Sequence, residues 1–179
     1  EKRTDVSANQ DAADDVRIVW ETPQEVVGAG GGYPRVHRLN DGRLMMTYSK
    51  SFNGYALFSE DDGKTWPESS LTNPMSKFKA SNENGKALLS VAVPDFAQLS
   101  ENHPHHPNRI IFAGNYRPRT TDGKTTGITT VHPYTISMSV SDDNGKSWSP
   151  TRHLYMSGIW DENVTIGCWE PFVLELPDG

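Results

Sequence analysis

Cysteine is nearly missing from this chain. Cys168 is the only one among 179 residues, so no internal disulfide can form. Long apolar runs are missing too, and nothing approaches the length needed to span a bilayer. Positive charge is in deficit: 17 Lys and Arg against 23 Asp and Glu leave a formal net charge of −6. A surface of that sign disfavours a nucleic-acid partner. An anionic small substrate stays open, because a local arginine cluster overrides the global field. No stretch shows sustained helical periodicity. Residues 1–15 are polar, acidic and almost free of large apolar side chains, which predicts a flexible leader. Such a leader resembles the mature end of an exported protein, so a secreted or periplasmic location is expected.

The most distinctive stretch present is Ser59-Glu60-Asp61-Asp62-Gly63-Lys64-Thr65-Trp66, which returns as Ser141-Asp142-Asp143-Asn144-Gly145-Lys146-Ser147-Trp148. Both copies read Ser-x-Asp-x-Gly-x-(Thr/Ser)-Trp. The pattern suits a tight turn between strands. Glycine tolerates a positive φ, aspartate accepts backbone N–H bonds inside the turn, and tryptophan folds back as an apolar anchor. A calcium loop is excluded by the missing alternation of acidic ligands and the missing distal Glu.

A longer repeat surrounds these boxes. Pro34-Arg35-Val36-His37-Arg38-Leu39-Asn40-Asp41-Gly42 matches Pro171-Phe172-Val173-Leu174-Glu175-Leu176-Pro177-Asp178-Gly179, with a weaker copy starting at Pro94-Asp95-Phe96. Each copy reads as a strand entering a hairpin, with Asp-Gly as the turn signal and Pro at a strand start where a ladder N–H is dispensable. Second strands follow at residues 43–48 and 109–113. Third strands lead into the boxes at 55–58 and 134–140, and a fourth is expected after each box Trp, near 152–156. In the 134–140 run Ile136, Met138 and Val140 alternate with Ser137 and Ser139, which predicts a half-buried strand. The expected fold class is therefore all-β: a β-propeller of four-stranded antiparallel blades. Blade 1 is expected at about 33–72, blade 2 at about 88–157, and the start of blade 3 at about 168–179, within one domain over 16–179. The run Val16-Arg17-Ile18-Val19-Trp20 predicts a strand that closes the last blade. The remaining blades are expected beyond Gly179.

The paired boxes resemble the Asp boxes, or bacterial neuraminidase repeats, of the sialidase-like propellers. That resemblance implies a peripheral, structural role for residues 59–66 and 141–148. Tyr33-Pro34-Arg35 and Trp169-Glu170-Pro171-Phe172, each followed by the Leu and Asp-Gly of the repeat, are similar to the exo-acting arabinanase branch. The branch implies a six-bladed retaining glycosidase releasing arabinobiose from arabinan ends. It further implies Glu170 as acid/base and a second Glu, the nucleophile, in a later blade. A sialidase is the alternative, with Arg35 as first arginine of its triad and Asp95 as its acid/base. The sequence departs from the usual Arg-Ile-Pro order of that family, since here Pro precedes Arg. A non-catalytic carbohydrate-binding propeller is the reading from another class.

Repeat alignment places Tyr33/Pro34/Arg35, Val93/Pro94/Asp95 and Glu170/Pro171/Phe172 at equivalent strand starts, where the inner strands of a propeller converge. Glu170 and Asp95 are the candidate catalytic carboxylates, and each equally suits a strand-start residue that holds backbone or arginine. Glycoside hydrolysis needs two such groups, roughly 5–5.5 Å apart for retention or about 6.5–9.5 Å for inversion. Arg35 suits substrate binding or a structural ion pair. Tyr33, Tyr116 and Trp169 suit stacking on sugar faces or packing, and Arg117 ends a second strand near the expected pocket rim. Residues 101–107, Glu-Asn-His-Pro-His-His-Pro, read as a solvated loop rather than a metal site, because no ligand spacing is regular. Gly28 to Gly32, followed by Tyr33-Pro34 and a strand, lacks the helix a phosphate loop requires. No cofactor or metal is implied. The expected partner is a carbohydrate, without nucleic acid or membrane insertion.

Overall fold

In the computed structural model, residues 18–20, 22–28, 30–82, 85–119, 132–157 and 167–177 are described. The leader expected at 1–15 and the second Asp178-Gly179 turn lie outside them. The described strands form two antiparallel sheets. The first contains β1 (Gly32–Arg38), β2 (Leu44–Lys50), β3 (Asn53–Ser59) and β4 (Thr72–Met75), paired in that order. The second contains β5 (Phe78–Asn82), β6 (Gly85–Gln98), β7 (Ile110–Arg119), β8 (Thr135–Ser141) and β9 (Arg152–Met156), again in order. A single 3₁₀ turn, Glu68–Ser70, is the only helical element among the described residues. None of their helices is long and apolar enough to cross a membrane.

Local chemistry explains the meander. At the β1–β2 hairpin Gly42 takes φ 89°, a state glycine reaches without a Cβ clash. The Asp41 carboxylate accepts from the Arg43 N–H at 3.2 Å and from its guanidinium at 2.7 Å. Both Ser/Asp boxes close in the same way. Ser59 Oγ donates to Asp61 Oδ1 at 2.8 Å, Thr65 N to the same oxygen at 2.8 Å, and Thr65 Oγ1 to Asp61 Oδ2 at 2.6 Å. The equivalent bonds of Ser141, Asp143 and Ser147 measure 2.8, 2.8 and 2.5 Å. Backbone follows suit, with φ of 59° and 85° at Asp62 and Gly63 against 58° and 85° at Asn144 and Gly145.

The main core lies between the two sheets. Met45, Ala56, Phe58 and Met75 from the first sheet meet Leu89, Val91, Phe96, Ile110, Phe112 and Tyr116 from the second. Trp148 of the second box joins this core edge-on to Phe112 at 5.9 Å and donates its indole N–H to Thr72 Oγ1 at 3.0 Å. Trp66 of the first box instead bonds back to Gly63 O at 3.0 Å and packs on a smaller cluster of Met46, Tyr48 and Leu57.

Two expectations need correction. The second sheet has five strands, not four, because β5 and the start of β6 form a hairpin ahead of the expected beginning near residue 88. In β8 the alternation is present with its polarity inverted: Ser137, Ser139 and Ser141 are buried while Ile136, Met138 and Val140 are half-buried. The serines face the core side, Ser139 being the register partner of Phe112. Their hydroxyls are satisfied locally, Ser139 Oγ by Ser149 O and Ser137 Oγ by His153 Nδ1, both at 2.8 Å. Among the described residues, 18–20 and 167–177 carry no strand pairing. The latter segment nonetheless lies along β6. Val173 N donates to Asp95 Oδ2 at 3.2 Å and Ser100 N to Glu175 Oε2 at 2.9 Å.

Candidate functional site

The three proline repeats share a backbone signature. The residue before each proline sits at positive φ: Tyr33 at 54°, Val93 at 43° and Glu170 at 32°. None is glycine, and for a valine this is a genuine outlier. Both paired strands bulge at the same point, β1 between Gly32 and Arg35 and β6 between Ala92 and Asp95. A bulge adds one residue and re-aims the side chains beside it. Strain held at equivalent points of three repeats marks a place where the fold dictates backbone geometry.

Alternation along β7 then decides which side chains face this region. Tyr116 is paired with Val91 on the core side, whereas Asn115 and Arg117 are paired with Ala92 and Ser90 on the other side. Arg117 lies with its guanidinium carbon 4.7 Å from the centre of the Trp169 ring. Its Nε donates to Asn115 Oδ1 at 2.8 Å. Trp169 in turn packs on Tyr134 at 4.9 Å. Burial draws the Arg117 pKa below its ordinary value, the nearby Arg119 acts in the same direction, and Tyr134, Tyr33 and Glu170 act against it. One neighbourhood thus contains Arg117, Trp169, Tyr134, Tyr33 and Glu170. Among these, Glu170 is exposed, Tyr33 is 50% accessible and Trp169 is 52% accessible.

The remaining candidates fall elsewhere. Asp95 is buried and accepts the Val173 N–H, so its carboxylate ties the third repeat to β6. Arg35 is half-buried and its guanidinium donates to Pro34 O at 3.2 Å, with no carboxylate partner among the described residues. Tyr116 is not brought to the site. At 1% accessibility its ring meets Phe78 edge-on at 5.1 Å and its hydroxyl donates to Ser76 O at 2.8 Å. A ring so enclosed has no face for a sugar, and the sequence expectation of a stacking Tyr116 is corrected on that ground.

Sequence reasoning missed Asn115 and Tyr134. Period-two alternation from Arg117 points to Asn115, so its signal was in the chain. Tyr134 reaches the site through its contact with Trp169, 35 positions further along the chain. The histidine loop behaves as a loop. His103 Nδ1 accepts from the N–H groups of His105 and His106 at 3.2 and 3.0 Å. Among the described residues no group of three His, Cys, Asp or Glu side chains suits a metal ion.

Chemically, the neighbourhood offers the exposed Glu170 carboxylate, a guanidinium over the Trp169 ring, and the half-exposed rings of Trp169 and Tyr33, with the buried Tyr134 packed behind Trp169. Such a set suits a ligand with apolar faces and polar edges. No protein-family model matches the chain, and no curated protein matches it.

Proposed function

We propose that this protein is a glycoside hydrolase acting on terminal sugars of a glycan, built as a β-propeller, with exo-arabinanase-like chemistry and Glu170 as general acid/base. The observation that carries the reading is the backbone of Glu170. It occupies the same positive-φ position before proline as Tyr33 and Val93, and it does so beside Trp169 and Arg117. The propeller reading is supported by two antiparallel meanders packed face to face and by a third repeat lying along β6. Further blades complete the ring in this reading, and one of them supplies the second carboxylate.

In the retaining sequence, Glu170 donates its proton to the leaving glycosidic oxygen while the second carboxylate bonds to the anomeric carbon. Glu170, now ionised, takes a proton from water, whose oxygen displaces the enzyme carboxylate with the sugar configuration restored. Trp169 and Tyr33, both half-exposed, are the rings open to a sugar in this reading. Asp95 acts at one remove, by fixing the segment that follows Glu170.

Glu170→Gln in the intact protein is expected to lower turnover by about 10²–10⁴-fold, the usual worth of a positioned proton donor. Product release from arabinan and from sialylated glycans, with the anomer resolved by NMR, is the measurement. Near-normal hydrolysis by the variant would sink the assignment. A sialidase is the second reading, favoured by one observation: the half-buried Arg117 makes no ion pair among the described residues. Its terminal nitrogens suit a sugar carboxylate, so release of sialic acid rather than arabinose sugars selects that reading. Binding of glycan without any release selects the non-catalytic propeller.

A further inference from the structure

Asn115 is fully buried on β7, and both ends of its amide are engaged. Oδ1 accepts from Arg117 Nε at 2.8 Å, and Nδ2 donates to the carbonyl of Cys168. The amide orientation is dictated by its partners, because an arginine nitrogen only donates and a carbonyl only accepts. One side chain therefore ties down both members of a stack. It holds Arg117 directly and Trp169 through the residue before it. Glu170 follows at once, in a backbone state that a non-glycine residue keeps only when its surroundings impose it. Upstream of that strained residue stands the Asn115 bond to Cys168, and downstream stands the Asp95 bond to Val173.

We propose that Asn115 is a positioning residue that holds Trp169 and Glu170 in place through Cys168 and Arg117, so that the site is organised before a ligand arrives. The catalytic part of this inference rests on Glu170 being the acid/base; the holding part does not. A buried amide satisfied at both ends fixes geometry because leaving either partner unmet is unfavourable in a dry site. Misplacement of a reacting group by about 1 Å is enough to lower a rate by about 10²-fold.

Asn115→Asp is the discriminating change. It keeps the size and the acceptor for Arg117, and it replaces the Nδ2 donor by an oxygen facing the Cys168 carbonyl. Cys168 itself is the reporter. Its Sγ lies 3.9 Å from Asn115 Nδ2, and burial raises its thiol pKa, so it reacts slowly while the segment is held. In the intact protein, labelling of the Cys168 peptide by a disulfide reagent, followed by mass spectrometry, is expected to quicken about tenfold or more. Far-UV circular dichroism should be unchanged. Turnover should fall about tenfold or more with KM less affected, the pattern of a lost transition-state interaction. If the Asp variant does not fold, Asn115→Leu, of similar volume and uncharged, carries the same expectations.

Labelling at the wild-type rate in a folded variant overturns the proposal. Faster labelling with wild-type turnover, where Glu170→Gln is inactive, overturns the catalytic part. Should Glu170→Gln remain active, the Glu170 reading fails on its own, and the labelling rate alone decides whether Asn115 holds the segment.

Discussion

Asp61 and Asp143 show how a single side chain can organise a turn, and how that leaves a trace in pH. Each carboxylate accepts two bonds from the Thr or Ser four residues on and one from the Ser two residues back. Hydrogen bonding to the charged form holds both well below the ordinary value, at about 2. The sign follows from linkage. A carboxylate depressed in the folded state contributes stability fully above its unfolded value near 3.8, and that contribution is lost as pH falls towards 2. A double variant, Asp61→Asn with Asp143→Asn, is therefore expected to be less stable than wild type at neutral pH. Its melting temperature should also depend less on pH between 4 and 2. Thermal melts across that range test the point, and parallel curves for the two proteins would count against it. This much was legible beforehand, because Ser-x-Asp-x-Gly-x-(Thr/Ser) names each participating group. The roles of Asn115 and Tyr134 were not legible at the same level. Asn115 depends on which face of β7 looks towards residues 167–170, and Tyr134, just ahead of β8, on where Trp169 lies, facts of assembly rather than of any local motif.

At the scale of elements, the two boxes share a turn but not a task, and a glycine substitution separates them. Gly63 and Gly145 have the same φ of 85°, so replacing either by Ala brings the same backbone strain. Their surroundings differ. A Cβ on Gly63 would come 3.3 Å from Leu44 Cδ1, a side-chain tip, whereas a Cβ on Gly145 would come 2.3 Å from the Phe58 ring. That ring is pinned in the inter-sheet core, with the Arg43 guanidinium 4.9 Å above it. Gly145→Ala should thus destabilise by about 1–3 kcal/mol more than Gly63→Ala, the usual penalty of overpacking a filled site. Urea denaturation of the two variants measures the difference, and equal losses would show that the second box is not wedged between the sheets. Elements announced by turn chemistry were readable in advance: Asp-Gly before β2, a box after β3 and another after β8. The β5–β6 hairpin, in which Gly85 pairs with Asn82, breaks the four-strand count and was not expected. The inverted burial of β8 has a different cause. Burial there is decided by the sheet opposite, and serine suits the tight side because its hydroxyl can bond to its own neighbours.

At the scale of the molecule, the repeat predicts what belongs on the second sheet's other face. Aligning Ser59 with Ser141 pairs Ala56 with Met138 and Phe58 with Val140. Ala56 and Phe58 are buried in the core beneath the second sheet, at 0% and 4% accessibility, while Met138 and Val140 are half-buried. If the arrangement of the first two sheets repeats around a ring, Met138 and Val140 sit under a third sheet in the intact protein. The apolar side chains of Phe172 and Leu174, now exposed, would be covered with them. Substitution at Met138 converts that into a measurement. A lysine placed in a covered apolar interface buries an unpaired charge and should lower stability by more than about 2 kcal/mol, whereas a change on a solvent face stays within about 0.5 kcal/mol. Met138→Lys in the intact protein, followed by chemical denaturation, distinguishes the two. Ile136→Lys probes the same face of β8 one alternate position away and should respond alike, since β-strand alternation puts both side chains under the same neighbour. A small effect at both positions would leave the second sheet as the edge of the assembly. The ring, and with it the later blade expected to bring a second carboxylate towards Glu170, would then lose its structural basis.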